Sequence, residues 1–276
     1  MDEGMGRASK LEYRVDAAEA EIFEATMVPA VFGPWAPELV RLAGPAPGER
    51  VLDLACGTGV VARLAAQAVG ATGGVSGCDI NQGMLEVAER VAAEAGHQIG
   101  YHQGSADALP FDDNSFNLVM CQQGLQFFPD KPAALREILR VLAPAGRFAA
   151  AVWRSAEHCP GQHAFIRALE KYGFDAAAAR RPFAFYDAGE LEAVAAAAGF
   201  QSVVVTSSKL ASRFHSPQQY INVLAAGAPS MRMALEQAGE ELREAVLADA
   251  AASLDEYMDG EGLEIPMESH LLMARR

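Results

Sequence analysis

The segment Val51-Leu52-Asp53-Leu54-Ala55-Cys56-Gly57-Thr58-Gly59-Val60-Val61-Ala62-Arg63-Leu64-Ala65-Ala66 contains a short apolar strand, a glycine turn and a helix start, in that order. Glycines let the backbone approach a ligand closely, and a helix N-terminus offers N–H groups with no intrahelical acceptor. Asp53 breaks the pattern. A strand buried on both faces of a parallel sheet reads as a hydrophobic run. A carboxylate there is costly unless something pairs with it. Asp53 is therefore expected to face a cationic or multiply hydrogen-bonding partner.

On either side of this turn the apolar pattern sets the organisation. Ala17–Leu42 reads as helical, with breaks at Pro29, Pro34 and Pro37, and the turn Gly44-Pro45-Ala46-Pro47-Gly48 closes it. Strands are expected at Arg50–Leu54, Gly73–Cys78, Ile99–Gln103, Phe116–Cys121 and Arg147–Trp153. Helices are expected between them at Val60–Val69, Gly83–Ala95 and Pro132–Leu142. Such alternation implies βαβ units and an α/β, doubly wound, mostly parallel sheet. Beyond Trp153 the alternation loosens: helices at Ala164–Tyr172 and Leu191–Ala198, a strand at Gln201–Ser207, a helical stretch from Gln218 to about Tyr257, and a last strand at Leu263–Ala274. Pro266 suggests an edge position or a bulge in that strand. The organisation expected is a helical lid over residues 1–48, a ligand-binding core over 49–153, and cap helices with the last two strands over 154–276.

Composition narrows the function. A net charge of −14 repels phosphate backbones and argues against nucleic acid as a partner. No uninterrupted apolar run is long enough to span a membrane. The start Met1-Asp2-Glu3-Gly4 does not read as a secretory signal, which makes a cytoplasmic location the default expectation. Cys56, Cys78, Cys121 and Cys159 form no C-x-x-C pair, so no metal site is expected, and they read as small buried hydrophobes.

Ligands of open α/β sheets bind beyond the carboxyl ends of the strands. Asp79 ends the second strand, twenty residues after Gly59, where an acid can accept from both hydroxyls of a ribose; it also reads as a helix N-cap. Asp107, after the third strand, can accept from an exocyclic amine such as adenine N6, or form a loop Asx-turn. Gly57-Thr58-Gly59-Val60-Val61-Ala62 also matches the dinucleotide pattern G-x-G-x-x-G/A, which taken alone reads as NAD binding. Asp53 argues against this, since a pyrophosphate beside it would be repelled whereas an ammonium or sulfonium would be attracted.

These residues resemble the class I S-adenosylmethionine-dependent methyltransferases, and look most like the ubiquinone/menaquinone-biosynthesis-type small-molecule branch. The resemblance covers roughly Glu49 to Trp153. It rests on Val51–Gly59, Asp79-Ile80-Asn81, Ala106-Asp107-Ala108-Leu109-Pro110-Phe111, Ser115–Val119 and Glu137–Gly146. It implies a seven-stranded Rossmann-like sheet with an antiparallel edge, a lid before it and a helical insertion before the last strand. It implies that Asp53 and Gly57 hold the methionine moiety, that Gly59 lets the cofactor lie against the backbone, and that Asp79 binds the ribose. Ala106 and Asp107 would frame the adenine, with Ile80 on a ring face and Gln122 near the methionine end. Thr58 and Met84 belong to the same expected set. Ala55 departs from the pattern, since many relatives carry glycine there, and is expected to tighten the turn.

Phe32 and Trp35, in Pro29–Trp35, are candidate lid residues over the sulfonium, with Tyr13 a weaker one; a helix end packed on the sheet is the alternative. No general base declares itself. His158, His163 and Gln126 are weak catalytic candidates, His215 is a further candidate base, and Gln123 and Gln126 are expected to be able to orient a polar group of the substrate. Phe127, Phe128, Trp153, Phe165, Phe183, Phe185 and Tyr220 suggest a hydrophobic or aromatic acceptor. The expected function is methyl transfer to such a small molecule, with S-adenosylhomocysteine as product and a homodimer as one option. The alternatives are an NAD-dependent oxidoreductase and a non-catalytic S-adenosylmethionine-binding protein. Gln122-Gln123-Gly124-Leu125 lacks the Asp/Asn-Pro-Pro-aromatic motif of amino-methylating nucleic-acid enzymes.

Overall fold

The computed structural model describes residues 15–236 and 238–276; Tyr13 lies outside them. The order is α1 (Ala17–Ile22), a π-helical segment (Phe23–Phe32), α2 (Gly33–Ala43), β1 (Arg50–Leu54), α3 (Val60–Val69), β2 (Gly74–Asp79), α4 (Gln82–Glu94), β3 (Gly100–Gln103), β4 (Phe116–Gln122), α5 (Lys131–Val141) and β5 (Leu142–Trp153). Then come α6 (Pro160–Lys171), α7 (Ala177–Arg180), α8 (Ala188–Ala197), β6 (Gln201–Phe214), α9 (Pro217–Gly227), α10 (Pro229–Leu235), α11 (Glu240–Ala252), β7 (Met258–Asp259) and β8 (Gly262–Arg275).

The sheet runs β3-β2-β1-β4-β5-β8-β6, with the two-residue β7 paired to β8 as an addition to the seven strands expected. The pairs from β3 to β5 are parallel, and β5·β8 and β6·β8 are antiparallel. The order reverses between β1 and β4, which puts a crevice at the carboxyl ends of those strands. Strand β1 is buried along Val51–Leu54, because α2 and α3 cover one face and the α5–α8 side the other. A separate apolar cluster joins the π-helical segment, α6, α9, α11 and the cap-facing side of β8 through Val31, Phe165, Leu224, Val246 and Leu263.

Several expectations change. Pro34 and Pro37 do not break the N-terminal helix, since Pro34 sits in the first turn of α2 where an N–H has no partner anyway. Pro29 is absorbed by the wider π turn, in which the Gly33 N–H donates to the Val28 carbonyl. Strand β6 runs on to Phe214, because β8 offers it a partner at every residue from Val204 to Phe214. Among the described residues, the stretch from Gln218 to Tyr257 holds three α-helices, divided at Ala228-Pro229 and before Gly239, and a short 3-10 turn at Asp255–Tyr257. Pro266 lies in an interior strand, yet β5 pairs β8 only from Ser269 onward, so at Pro266 the strand has a neighbour on one side alone. Among the described residues no helix is long and apolar enough to cross a membrane.

Candidate active site

The turn after β1 is left-handed at three positions: Ala55, Gly57 and Gly59, with φ of +56°, +53° and +82°. Ala55 therefore sits where glycine is preferred, and tightening the turn carries backbone strain. Asp53 is 1% exposed and accepts from the Ala62 N–H at 2.9 Å, in the first turn of α3. Burial raises its pKa to about 8, against the pull of that hydrogen bond and with the help of nearby Asp79. Of the cationic or multiply hydrogen-bonding partner expected for Asp53, the fold itself supplies one helix N–H, and burial favours the neutral form of the acid. Its charge alone is a weaker discriminator against a pyrophosphate than the sequence suggests. Arg63 ties the turn to the N-terminal helices, donating to Thr58 O at 2.6 Å and to Glu24 Oε1 at 2.9 Å.

Asp79, 8% exposed, accepts from Gly57 N–H and from Asn81 N–H, each at 2.9 Å. Burial raises its pKa. The N-cap position of α4 belongs to Asn81, so Asp79 is not the cap; it braces two turns, and each oxygen keeps capacity for a second donor. Ile80 is 55% exposed, an unusual placement for isoleucine that a planar ligand would relieve. Asp107 is exposed and accepts from Ser105 Oγ. Its loop is latched from α5: Arg140 donates to the carbonyls of Phe111 (2.8 Å) and Leu109 (3.1 Å), and Glu137 accepts from Leu109 N–H (2.9 Å).

One cavity of about 1460 Å³ unites Asp53, Ala55, Gly57, Thr58, Asp79, Ile80, Met84, Ala106, Asp107, Gln122 and Phe32 on its wall. Thr58 Oγ1 and Gln122 Oε1 are buried there with no hydrogen-bond partner among the described residues, while Gln122 Nε2 donates to Phe32 O at 2.8 Å. Open donor and acceptor capacity beside a glycine turn suits the amino-acid end of a cofactor. Gly59 stands off the wall. It sets the turn, and a Cβ on it would lie 2.4 Å from the Tyr101 hydroxyl.

The sequence expectation fails for Trp35. It is 1% exposed and packs edge-on to Trp153 with centroids 5.8 Å apart, a core residue off the cavity wall. Helix α2 turns its Trp35 face onto the sheet, which leaves Phe32 alone of the pair at the cavity. The weak catalytic candidates also fall outside the wall: His158 Nδ1 pairs with Ser155 Oγ at 2.9 Å, His163 lies on α6, and Gln126 is buried in the turn Leu125–Phe127. Phe127, Phe128, Trp153 and Phe183 line the cavity, whereas Phe165, Phe185 and Tyr220 are buried in the apolar clusters. Cys56 and Cys78 line it, and Cys121 sits behind Gly124.

Gln162 of α6 is on the wall and was not singled out by the sequence. Its signal was there, since Gln162, Phe165, Ile166 and Leu169 form one helical stripe in which it is the sole polar member. Met27, Leu224, Ser230 and Met231 complete the cap side, and only tertiary packing brings them to β4.

Strand order, glycine turn and the acids at two strand ends define a class I S-adenosylmethionine-dependent methyltransferase fold. The chain belongs to the ubiE/COQ5 methyltransferase family, whose model matches residues 24–179. It is 35% identical over 144 residues to the ubiquinone/menaquinone biosynthesis C-methyltransferase UbiE of Shewanella halifaxensis, covering 51% of this chain and 57% of that protein. The chain thus spans about half the length of the curated relatives it matches. Among solved structures, phosphoethanolamine N-methyltransferase 2 of Haemonchus contortus with S-adenosyl-L-methionine superposes with a TM-score of 0.59 at 18% identity, covering 100% of this chain and 61% of that one. The cyclase SpnF superposes with a TM-score of 0.55 at 24% identity, covering 87% and 79%. At these identities the likeness is one of fold.

Proposed function

We propose that this protein transfers a methyl group from S-adenosylmethionine to a small apolar or aromatic molecule. The observation that carries the reading is one continuous cavity whose wall runs from Asp79, Ile80 and Asp107 to Trp153, Phe183 and Met231. S-adenosylmethionine supplies a methyl carbon made electrophilic by the positive sulfur. In this reading Asp79 accepts from the ribose hydroxyls, Ile80 and Ala106 flank the adenine, and Asp107 accepts from its exocyclic amine. Gly57, Thr58 and Gln122 hold the methionine end with Asp53 beneath them, Gly59 shapes that cradle, and Met84 and Phe32 close its sides. The chain's main contribution is alignment, worth up to about 7–11 kcal/mol, together with exclusion of water by the apolar cap.

A net charge of −14 supports a small molecule over a nucleic acid as acceptor. A cytoplasmic setting and a homodimer are carried forward from the sequence, the latter checked by light scattering on the purified chain. The decisive experiment is calorimetry with S-adenosylhomocysteine and, separately, NADH. S-adenosylhomocysteine is expected to bind and NADH is not, and Asp79→Ala is expected to weaken S-adenosylhomocysteine by at least ~1 kcal/mol. Preference for NADH, or an unchanged affinity in Asp79→Ala, refutes the assignment.

A further inference from the structure

Two glutamines on the cap side of the cavity are buried with unused acceptors. Gln123 is 3% exposed and Gln162 is 5% exposed, and both line the cavity. Each amide nitrogen is engaged: Gln123 Nε2 donates to Ser269 Oγ at 3.1 Å and Gln162 Nε2 to Met267 Sδ at 3.7 Å. Among the described residues neither Oε1 accepts a hydrogen bond, and the Gln162 amide lies beside the buried Tyr220 hydroxyl. Ser269 and Met267 are two residues apart on β8, so they share the strand face that looks toward the cap. The amides are therefore hung from one face at anchor points about 7 Å apart, twice the rise per strand residue. Gln123 is also held at φ +47°, a left-handed backbone that side-chain-bearing residues rarely adopt. Its backbone N–H, bonded to Ala151 O at 2.8 Å, fixes it there. The surrounding wall is mainly apolar, from Phe32, Trp153, Phe183, Leu224 and Met231, with Ser230 and Arg181 also in the lining.

A buried carbonyl oxygen without a donor is unfavourable, and natural sites seldom retain two of them idle in an apolar wall. We propose that Gln123 and Gln162 are specificity-determining residues for the acceptor. They read hydrogen-bond donors, hydroxyl or N–H, at two points on an otherwise apolar ring-containing molecule. The inference rests on the methyl-transfer reading for the role of the cavity, and it adds the residues that choose the acceptor. A molecule lacking those donors leaves both oxygens unpaired on burial and is rejected, which an apolar wall by itself cannot do.

The test uses the full chain saturated with S-adenosylhomocysteine and three probes: 2,6-dihydroxynaphthalene, its monomethyl ether and its dimethyl ether. Binding is read by the probes' fluorescence. Each capped hydroxyl is expected to weaken binding about tenfold, about 1.4 kcal/mol. Gln162→Met and Gln123→Met keep side-chain length and lose the acceptor; each is expected to remove one step of that ladder and to leave S-adenosylhomocysteine affinity unchanged. Equal affinity for the three probes, no probe binding, or a ladder that survives in both variants overturns the proposal. Should Gln123→Met fail to fold, Gln162→Met alone decides by the loss or retention of its step. Failure of the wild-type chain to bind S-adenosylhomocysteine refutes the methyl-transfer reading instead, so the two failures are distinct.

Discussion

Replacing Asp53 by Asn separates the carboxyl's hydrogen bond from its ionisation. Asparagine keeps a side-chain oxygen that can accept from Ala62 N–H, and it has nearly the same volume. It cannot ionise. In the wild-type chain burial moves the titration from 3.8 to about 8. Between those values the folded protein holds a proton that the unfolded chain has released. The folded state binds more protons, so stability is full below about pH 4 and declines as pH rises toward 8. The slope is at most about 1.4 kcal/mol per pH unit, and the whole interval is on the order of 5 kcal/mol. Asp53→Asn lacks this decline. Urea denaturation of both proteins between about pH 5 and pH 7.5 is expected to show the variant gaining up to roughly 3 kcal/mol relative to wild type over that range. Asp79, also raised by burial, titrates in both proteins, so its own burial cancels in the difference and its repulsion with Asp53 stays as a smaller contribution. A stability difference that stays flat across this range refutes the argument that Asp53 is a neutral, buried hydrogen-bond acceptor.

Three further outcomes follow from the geometry. Gly59→Ala combines φ +82° with a Cβ placed 2.4 Å from the Tyr101 hydroxyl, and is expected to destabilise by about 1–3 kcal/mol in a denaturant titration. Ala55→Gly relieves the left-handed strain at φ +56° and is expected to raise the urea midpoint, by no more than ~1 kcal/mol since glycine also loosens the unfolded chain; a lower midpoint refutes the strain argument. Burial raises all four thiols, Cys56 strongly and Cys78, Cys121 and Cys159 to about 12. Iodoacetamide at pH 8 is therefore expected to react slowly, first at the cavity-lining Cys56 and Cys78, and more slowly still with S-adenosylhomocysteine bound. Labelling of Cys121 and Cys159 at the same rate as those two, as read by mass spectrometry, runs against the cavity geometry.

The parallel half of the sheet was legible because its signals are local. Arg50–Leu54 and Val60–Val69 coincide with β1 and α3, and the other core elements shift by a residue or two, apart from β5, which starts five residues early. Each is a short apolar run or amphipathic stripe bounded by glycine or proline, which depends on neighbours in sequence alone. The cap was less legible. Alanine-rich helices such as α8 have little amphipathic contrast, and the three helices from Pro217 to Ala252 are separated by a Pro turn and a Gly that a helical period smooths over.

The chain's order of residues determined the Asp53–Gly59 turn, the acids at two strand ends and hence the cofactor class, because a strand, a glycine turn and a helix start are adjacent in sequence. Tertiary structure decided what those acids do: Asp53 is a buried acceptor for Ala62, and Asp79 a brace between Gly57 and Asn81. It also sent Trp35 into the core and brought Gln162, from α6, to the same cavity as Gln123. Those outcomes depend on burial and on partners that are distant along the chain, Gln123 and Ser269 being 146 residues apart. Desolvation and long-range packing are properties of the assembled fold.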